Sequence, residues 1–273
     1  MNIFETMVEQ YHPTNEEERS NAQRETMQKI ALAGLKRGGF FDHAAFYGGT
    51  CLRIFHGLNR YSEDMDFSLT EKNDSIHLEN YFSAIIDEFH YVGLDVEIDK
   101  KDKKTFGRVE SAFLKENTEA YDIKFQTRKM MKVKIELDTD PPLCFNTEQK
   151  LLNQPYSFSV RCFTLPDLFA GKMHALVYRA WQRRIKGRDW YDFEWYAKNQ
   201  IPLDFNHLHE RILEFSGNDV SKEEFMEALK EKLSSTDIEL VKQDVFNFVD
   251  NPQDLEIWSN DYFLRLAETL RFQ

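Results

Sequence analysis

An α+β fold is predicted for this chain, and three observations predict it. Apolar and charged residues alternate with strand period over residues 131–138. Two further short strand candidates, residues 44–47 and 63–69, flank a Gly-Gly turn. Beyond residue 160 nearly every segment spaces its apolar residues as a helix does. The expected architecture is a mixed sheet with flanking helices over residues 1–160, followed by a helical domain over residues 161–273.

Each element has its own local reason. Residues 14–38 read as a helix, with acids at Glu16, Glu17 and Glu18 and basic residues at Lys36 and Arg37 ahead of Gly38. Residues 44–47 are a short apolar run ending in Gly48-Gly49, which suits a buried strand and a tight turn, and residues 50–55 open a short helix. A strand at 63–69 and a helix at 76–91 follow, then strand-like alternation from 94 to 138. The Pro141-Pro142 pair marks a loop, and a short strand is expected at 156–161. The remaining segments, 166–184, 189–198, 208–215, 221–233, 237–249 and 260–272, read as helices.

Composition excludes several classes. With 41% hydrophobic and 14% aromatic residues, the 273-residue chain can bury a core and is not a disordered segment. Its apolar runs are too short to span a bilayer, so no membrane attachment is expected, and the acidic first twenty residues do not suit a secretory signal. Cys51, Cys144 and Cys162 are scattered and odd in number, which argues against a disulfide framework or a zinc site and for a reducing cytoplasm. The net charge of −12 speaks against a general nucleic-acid coat. That charge is unevenly spread. Residues 201–273 hold 16 acids and 7 basic residues, whereas residues 161–188 hold seven basic residues and the single acid Asp167.

The chemistry concentrates at Gly48-Gly49-Thr50 and Asp64-Met65-Asp66. On a strand, residues two apart share a face, so the carboxylates of Asp64 and Asp66 project together, roughly 7 Å apart along the chain. Met65 and Phe67 then point to the core. Paired carboxylates repel each other and suit a hard cation such as Mg²⁺ or Mn²⁺. The turn ahead of a helix offers free backbone N–H groups to a phosphate. A third carboxylate from a neighbouring strand would complete a site for phosphoryl transfer, and Glu136, with Asp138 as the alternative, lies on one face of the 131–138 alternation.

The ordered combination resembles the nucleotidyltransferase fold of the polymerase beta superfamily, in which a Gly-Gly or Gly-Ser turn precedes an Asp-hydrophobic-Asp strand. Thirteen residues separate Thr50 from Asp64, and Thr50 stands where many members have Ser. The wording GGTCLRIFHGLNRYSEDMDFSL is similar to the AbiEii/AbiGii toxin family, the toxin halves of toxin–antitoxin and abortive-infection modules. A second block, Leu165 to Leu176 and Lys186 to Phe193, carries a Lys followed by an Arg-Asp-x-x-Asp run and is similar to the same family at Lys172, Arg188, Asp189 and Asp192. Together the blocks cover roughly a quarter of the chain.

The resemblance implies a nucleotidyltransferase that moves a nucleotidyl group from a nucleoside triphosphate (NTP) to an acceptor hydroxyl, with RNA, tRNA in particular, as acceptor and an antitoxin as partner. It implies Asp64, Asp66 and Glu136 as metal ligands, and Lys172 as a triphosphate contact supplied, with Asp189, by the helical domain. Gly48, Gly49 and Thr50 would receive the phosphates, with Arg53 and Ser62 as further nucleotide contacts. Asp189, or Asp192, would anchor Lys172 or the base. Two other readings stand beside this one: a non-catalytic nucleotide- or RNA-binding regulator of the same fold, and a nucleotidyltransferase acting on a small molecule.

Overall fold

In the computed structural model, which describes residues 2–100, 118–125, 131–179 and 185–273, the chain divides into two compact units. The first comprises Met1–Phe55, Ser62–Pro141 and Thr147–Cys162, and the second His56–Tyr61, Pro142–Asn146 and Phe163–Gln273.

The first unit is built on a seven-stranded mixed sheet. Its strands are β1 (Ala44–Tyr47), β2 (Asp64–Leu69), β3 (Val96–Lys100), β4 (Thr118–Phe125), β5 (Met131–Asp138), β6 (Thr147–Leu152) and β7 (Phe158–Phe163), in the order β3-β4-β5-β2-β1-β7-β6. Strand β2 runs antiparallel to β1 and parallel to β5, so the Asp-Met-Asp segment lies in the interior of the sheet. One face of β2 is core: Met65, Phe67 and Leu69 are fully buried, and the Phe67 ring meets Phe40 edge-on at 5.2 Å and stacks on Phe46 at 5.0 Å. Strand β5 repeats the division, with Val133, Ile135 and Leu137 buried and the charged residues between them on the opposite face.

Helices flank this sheet: α1 (Ile3–Glu9), α2 (Glu16–Arg37), α3 (Gly48–His56) and α4 (Phe82–Tyr91). Helix α2 starts where its chemistry says it should. The Asn15 side chain accepts from the Glu18 amide at 2.9 Å, the three glutamates occupy the positive first turn, and Lys36 and Arg37 occupy the last. The residues expected as one helix over 76–91 instead form a short 3₁₀ turn, Leu78–Tyr81, followed by α4, with the backbone of Tyr81 bent between them (φ −111°, ψ −1°). Helix α1 and strand β6 go beyond the sequence reading. Strand β6 ends the sheet and buries only Leu152, so no apolar face announces it. The last strand is displaced by two residues from its expected place, to Phe158–Phe163.

The second unit is helical: α5 (Leu165–Tyr178), α6 (Gly187–Lys198), α7 (Phe205–Ser216), α8 (Lys222–Ser235), α9 (Ile238–Val245) and α10 (Asn260–Glu268). Side-chain caps set several starts. Ser221 and Glu224 form a reciprocal capping box on α8, Asp204 caps α7 and Ser259 caps α10. Trp190, Phe193 and Phe263 pack together in the core, and Phe169 stacks on Tyr196 at 4.2 Å. Helix α10 stops short of the expected residue 272 because the chain end pairs with another segment. The Leu203 amide donates to the Arg271 carbonyl at 2.8 Å and the Gln273 amide to the Leu203 carbonyl at 3.0 Å. Helix α5 ends at Tyr178, and Arg183, Arg184 and Trp181 lie outside the described residues. Among the described residues, no helix is long and apolar enough to cross a membrane.

Candidate active site

Within the sheet unit, the register of β2 and β5 assembles the carboxylates. Asp64 lies opposite Lys134, and Asp66 lies opposite Glu136. All four side chains belong to the face of the sheet turned away from the Phe67 core, because side chains alternate along each strand. Asp138, the alternative to Glu136, lies two residues further on, opposite Ser68, and accepts from the Asp140 amide. Ser68 is buried, so the half-exposed part of this face is the stretch carrying Asp64 and Asp66.

The Gly-Gly-Thr turn follows from the same register. Tyr47 lies opposite Asp66, so the next residue, Gly48, passes beside the Asp66 carboxylate. Gly48 has φ +81°, and a Cβ placed on it would run into Asp66 Oδ2. Glycine is thus required twice, for the backbone conformation and for the space beside the carboxylate. From this residue α3 begins, and the first backbone amides of a helix have no acceptor within the helix itself. Thr50 is fully buried, and its hydroxyl donates to the Asp64 main-chain carbonyl, so the side chain ties the helix start to the first residue of β2. Cys51 is buried beside Cys162, and burial, then that neighbour, pushes its thiol well above the ordinary value, leaving it unsuited to act as a nucleophile.

The two remaining nucleotide candidates of this unit are held by residues of α2. Arg53 Nε donates to Glu25 Oε2 at 3.0 Å, with Tyr11 and Lys29 on the other oxygen of Glu25. Gln28, itself buried, donates to the carbonyls of Ser62 and Glu63 at 2.9 and 3.1 Å and fixes the approach to Asp64. Sequence reasoning missed Glu25 and Gln28 as supports, since nothing local in a helix marks such partners.

Lys134 was also missed, although its place two residues before Glu136 was visible in the alternation. Its ammonium lies 2.6 Å from Glu136 Oε1, and both side chains are largely buried. Burial opposes the charge on Lys134, but Glu136, then Asp64 and Asp66, outweigh it and hold the lysine above its ordinary pKa. Two half-buried carboxylates two residues apart on one face of β2 are hard oxygen donors, and that donor set fits a divalent ion such as Mg²⁺ or Mn²⁺. Among the described residues no three His, Cys, Asp or Glu side chains are gathered as a ligand set, Glu136 being turned to Lys134.

The helical unit holds the second block. Lys172 on α5 lies 2.8 Å from Asp189 and 2.8 Å from Asp192, both on α6. Burial works against the Lys172 charge, yet the two aspartates outweigh it and raise its pKa. Burial likewise opposes the Asp189 carboxylate, but Lys172, followed by Lys186 and Arg179, brings it down to about 2. The α6 start is capped by another residue, since Asp244 accepts from the Gly187 amide at 2.8 Å; Asp189 is thereby left to Lys172. Asp192 also receives Arg60, a fully buried guanidinium that donates to both its oxygens. Arg60 therefore serves as a structural counter-ion. Lys186, crowded by burial and by Arg179, Arg188 and Lys172 against the pull of Asp189, is pushed down to about 8.

The family model described as nucleotidyl transferase AbiEii toxin, Type IV TA system, matches residues 30–265. The fold is similar to that of MenT4, a nucleotidyltransferase toxin from Mycobacterium tuberculosis H37Rv, with a TM-score of 0.58 at 15% identity over 97% of this chain and 93% of that one. It is also similar to JHP933 from Helicobacter pylori, with a TM-score of 0.48 at 18% identity over 91% of this chain and 86% of that one. No curated protein matches the chain in sequence. With the family match running through both the Gly-Gly-Thr/Asp-Met-Asp block and the Lys172 block, the chain belongs to the AbiEii family of nucleotidyltransferase toxins.

Proposed function

We propose that the chain transfers a nucleotidyl group from an NTP to an RNA hydroxyl, with tRNA as acceptor, in a reaction that depends on a divalent cation. The observation that carries the reading is the register that sets Asp64 and Asp66 on one face of β2, with Glu136 beside Asp66 and the α3 N-terminus adjoining it. Asp64 and Asp66 would hold the ion, with Glu136 as the third carboxylate of the set. Bound there, Mg²⁺ or Mn²⁺ would offset charge on the phosphoryl oxygens and favour the deprotonated acceptor.

The protein's own groups do the positioning. The amides of Gly49 and Thr50 receive phosphate oxygens at the helix end, and the buried Thr50 hydroxyl keeps that end against β2. Lys172, charged and oriented by Asp189 and Asp192, is suited to contact the triphosphate. The acceptor hydroxyl gives its proton to solvent, its oxygen bonds to the α-phosphorus as the bond to the bridging oxygen breaks, and pyrophosphate leaves. An RNA acceptor is supported by the basic composition of residues 161–188, seven basic residues against the single acid Asp167. Membership of a Type IV toxin–antitoxin family implies an antitoxin as partner.

The test uses the full chain with each labelled NTP, Mg²⁺ and total tRNA, beside Asp64→Ala and Asp66→Ala variants. Label is expected in tRNA with the wild type and not with the variants. Transfer to a small hydroxylated molecule with none to RNA would replace the acceptor, and no transfer from any nucleotide to any acceptor would overturn the reading.

A further inference from the structure

Lys134 stands in the middle of the proposed metal-binding face, and the reaction as described gives it no task. It lies on β5, opposite Asp64 on one side and Asp122 of β4 on the other. Asp122 already has a cation, since Lys132 Nζ is 3.4 Å from its Oδ2. The Lys134 ammonium lies 2.6 Å from Glu136, which is opposite Asp66 in register, and in the field of Asp64. The side chains of Lys134 and Glu136 are each only 18% exposed, so water does little to screen the pair.

We propose that Lys134 is a built-in cation that takes the place of a second divalent ion, so that the chain without nucleotide binds one Mg²⁺ or Mn²⁺ through Asp64 and Asp66. The inference rests on the proposed function's assignment of those two carboxylates. Charge balance supports it. Asp64, Asp66 and Glu136 together carry three negative charges, Lys134 cancels one, and one divalent ion neutralises what remains. A second divalent ion would have to displace the ammonium from Glu136 and then sit beside it, where like charges in a poorly solvated place repel strongly. A lysine is suited to this role, being a compact point charge on a flexible stem that can swing away from its carboxylate when the triphosphate brings its own negative charge.

The test is Mn²⁺ binding without nucleotide, read by electron paramagnetic resonance of free Mn²⁺ and by titration calorimetry, on the full chain. Wild type is expected to bind one ion per chain. Lys134→Met is expected to bind a second ion, or to bind the first about tenfold more tightly, because removing a neighbouring positive charge is worth about that factor. Lys134→Arg, which keeps the charge, is expected to retain the wild-type stoichiometry. Circular dichroism verifies the fold of each variant, and Lys134→Gln replaces the Met variant should that one not fold. Two ions on the wild type, or identical binding by wild type and Lys134→Met, would overturn the inference. An Asp64→Asn, Asp66→Asn variant separates the two levels: Mn²⁺ binding that survives it removes the carboxylate site itself and this inference with it. Binding that is lost there but unmoved by Lys134→Met removes only the role of Lys134.

Discussion

Arg60 and Asp192, 132 residues apart in sequence, meet as a doubly bonded ion pair, with Nε–Oδ1 and Nη2–Oδ2 both at 2.6 Å. Neither side chain is more than 2% exposed, and Asp192 is at the same time 2.8 Å from the Lys172 ammonium. One carboxylate thus balances two cations and joins the segment after α3 to α5 and α6 in the helical unit.

Removing that carboxylate takes the ion-pair partner from buried Arg60 and leaves Lys172 with Asp189 alone. Asp192→Ala is expected to destabilise the chain by about 3–5 kcal/mol, the usual cost of a buried charge left without its partner. Arg60→Met removes a cation of similar length and leaves Asp192 paired with Lys172, so its loss is expected to be smaller. Urea denaturation of the two variants and the wild type checks the order; equal losses would show that Arg60, too, is indispensable.

Gly48 is expected to be intolerant of a methyl group for a reason separable from backbone strain. Gly48→Ala and Gly57→Ala both place alanine at positive φ, +81° and +74°, but a Cβ at Gly57 meets nothing within 4 Å. Both are expected to cost about 1 kcal/mol through the backbone. Only Gly48→Ala is expected to weaken Mn²⁺ binding, because its methyl group pushes on the Asp66 carboxylate. Thermal melts and Mn²⁺ titration of the pair measure the two effects separately.

The depressed pKa of Asp189 has a defined sign in stability. A carboxylate held at about 2 in the folded chain against an unfolded value of 3.8 binds fewer protons when folded. Its contribution, on the order of 2 kcal/mol, is complete above the unfolded value and is lost as pH falls through the folded one. The stability difference between wild type and Asp189→Asn is therefore expected to be constant at neutral pH and to shrink between about pH 4 and pH 2. Denaturant titrations at stepped pH follow it.

His207 acts over a higher window. It is buried against Phe145 and Phe163, and burial, followed by Arg211, lowers its pKa to about 3. The folded chain keeps the ring neutral while the unfolded chain takes up a proton below the ordinary value of 6.5, so stability is expected to fall progressively from pH 6.5 downwards. His207→Phe is expected to flatten that part of the stability–pH curve. An unchanged slope in the variant would place the titration elsewhere.

Strand β2 was legible because its signal is local. In Asp64-Met65-Asp66-Phe67, side chains alternate by the geometry of a strand, and no tertiary contact is needed to set the two carboxylates on one face. The same holds for the capped start of α2 and for the strand of Lys134 and Glu136. Elements whose signal depends on a neighbour were not legible. Strand β6 is a polar edge that exists by pairing, and the end of α10 is decided by Leu203, far away in sequence. The charge pattern was readable as composition: the acidity lies mainly in residues 201–273, while residues 161–188 are basic.

By itself, then, the sequence determined the secondary-structure class, the shared face of Asp64 and Asp66, and the glycine entry into α3, because each depends on backbone periodicity and on neighbours a few residues away. Tertiary structure alone decided the partners: that Asp66 faces Glu136, that Lys134 turns to that glutamate, that Glu25 takes Arg53, and that Asp192 is shared by Arg60 and Lys172. The physical reason is that an ionised group in a poorly solvated interior must find an opposite charge in space, and which one it finds depends on strand register and helix packing rather than on distance along the chain.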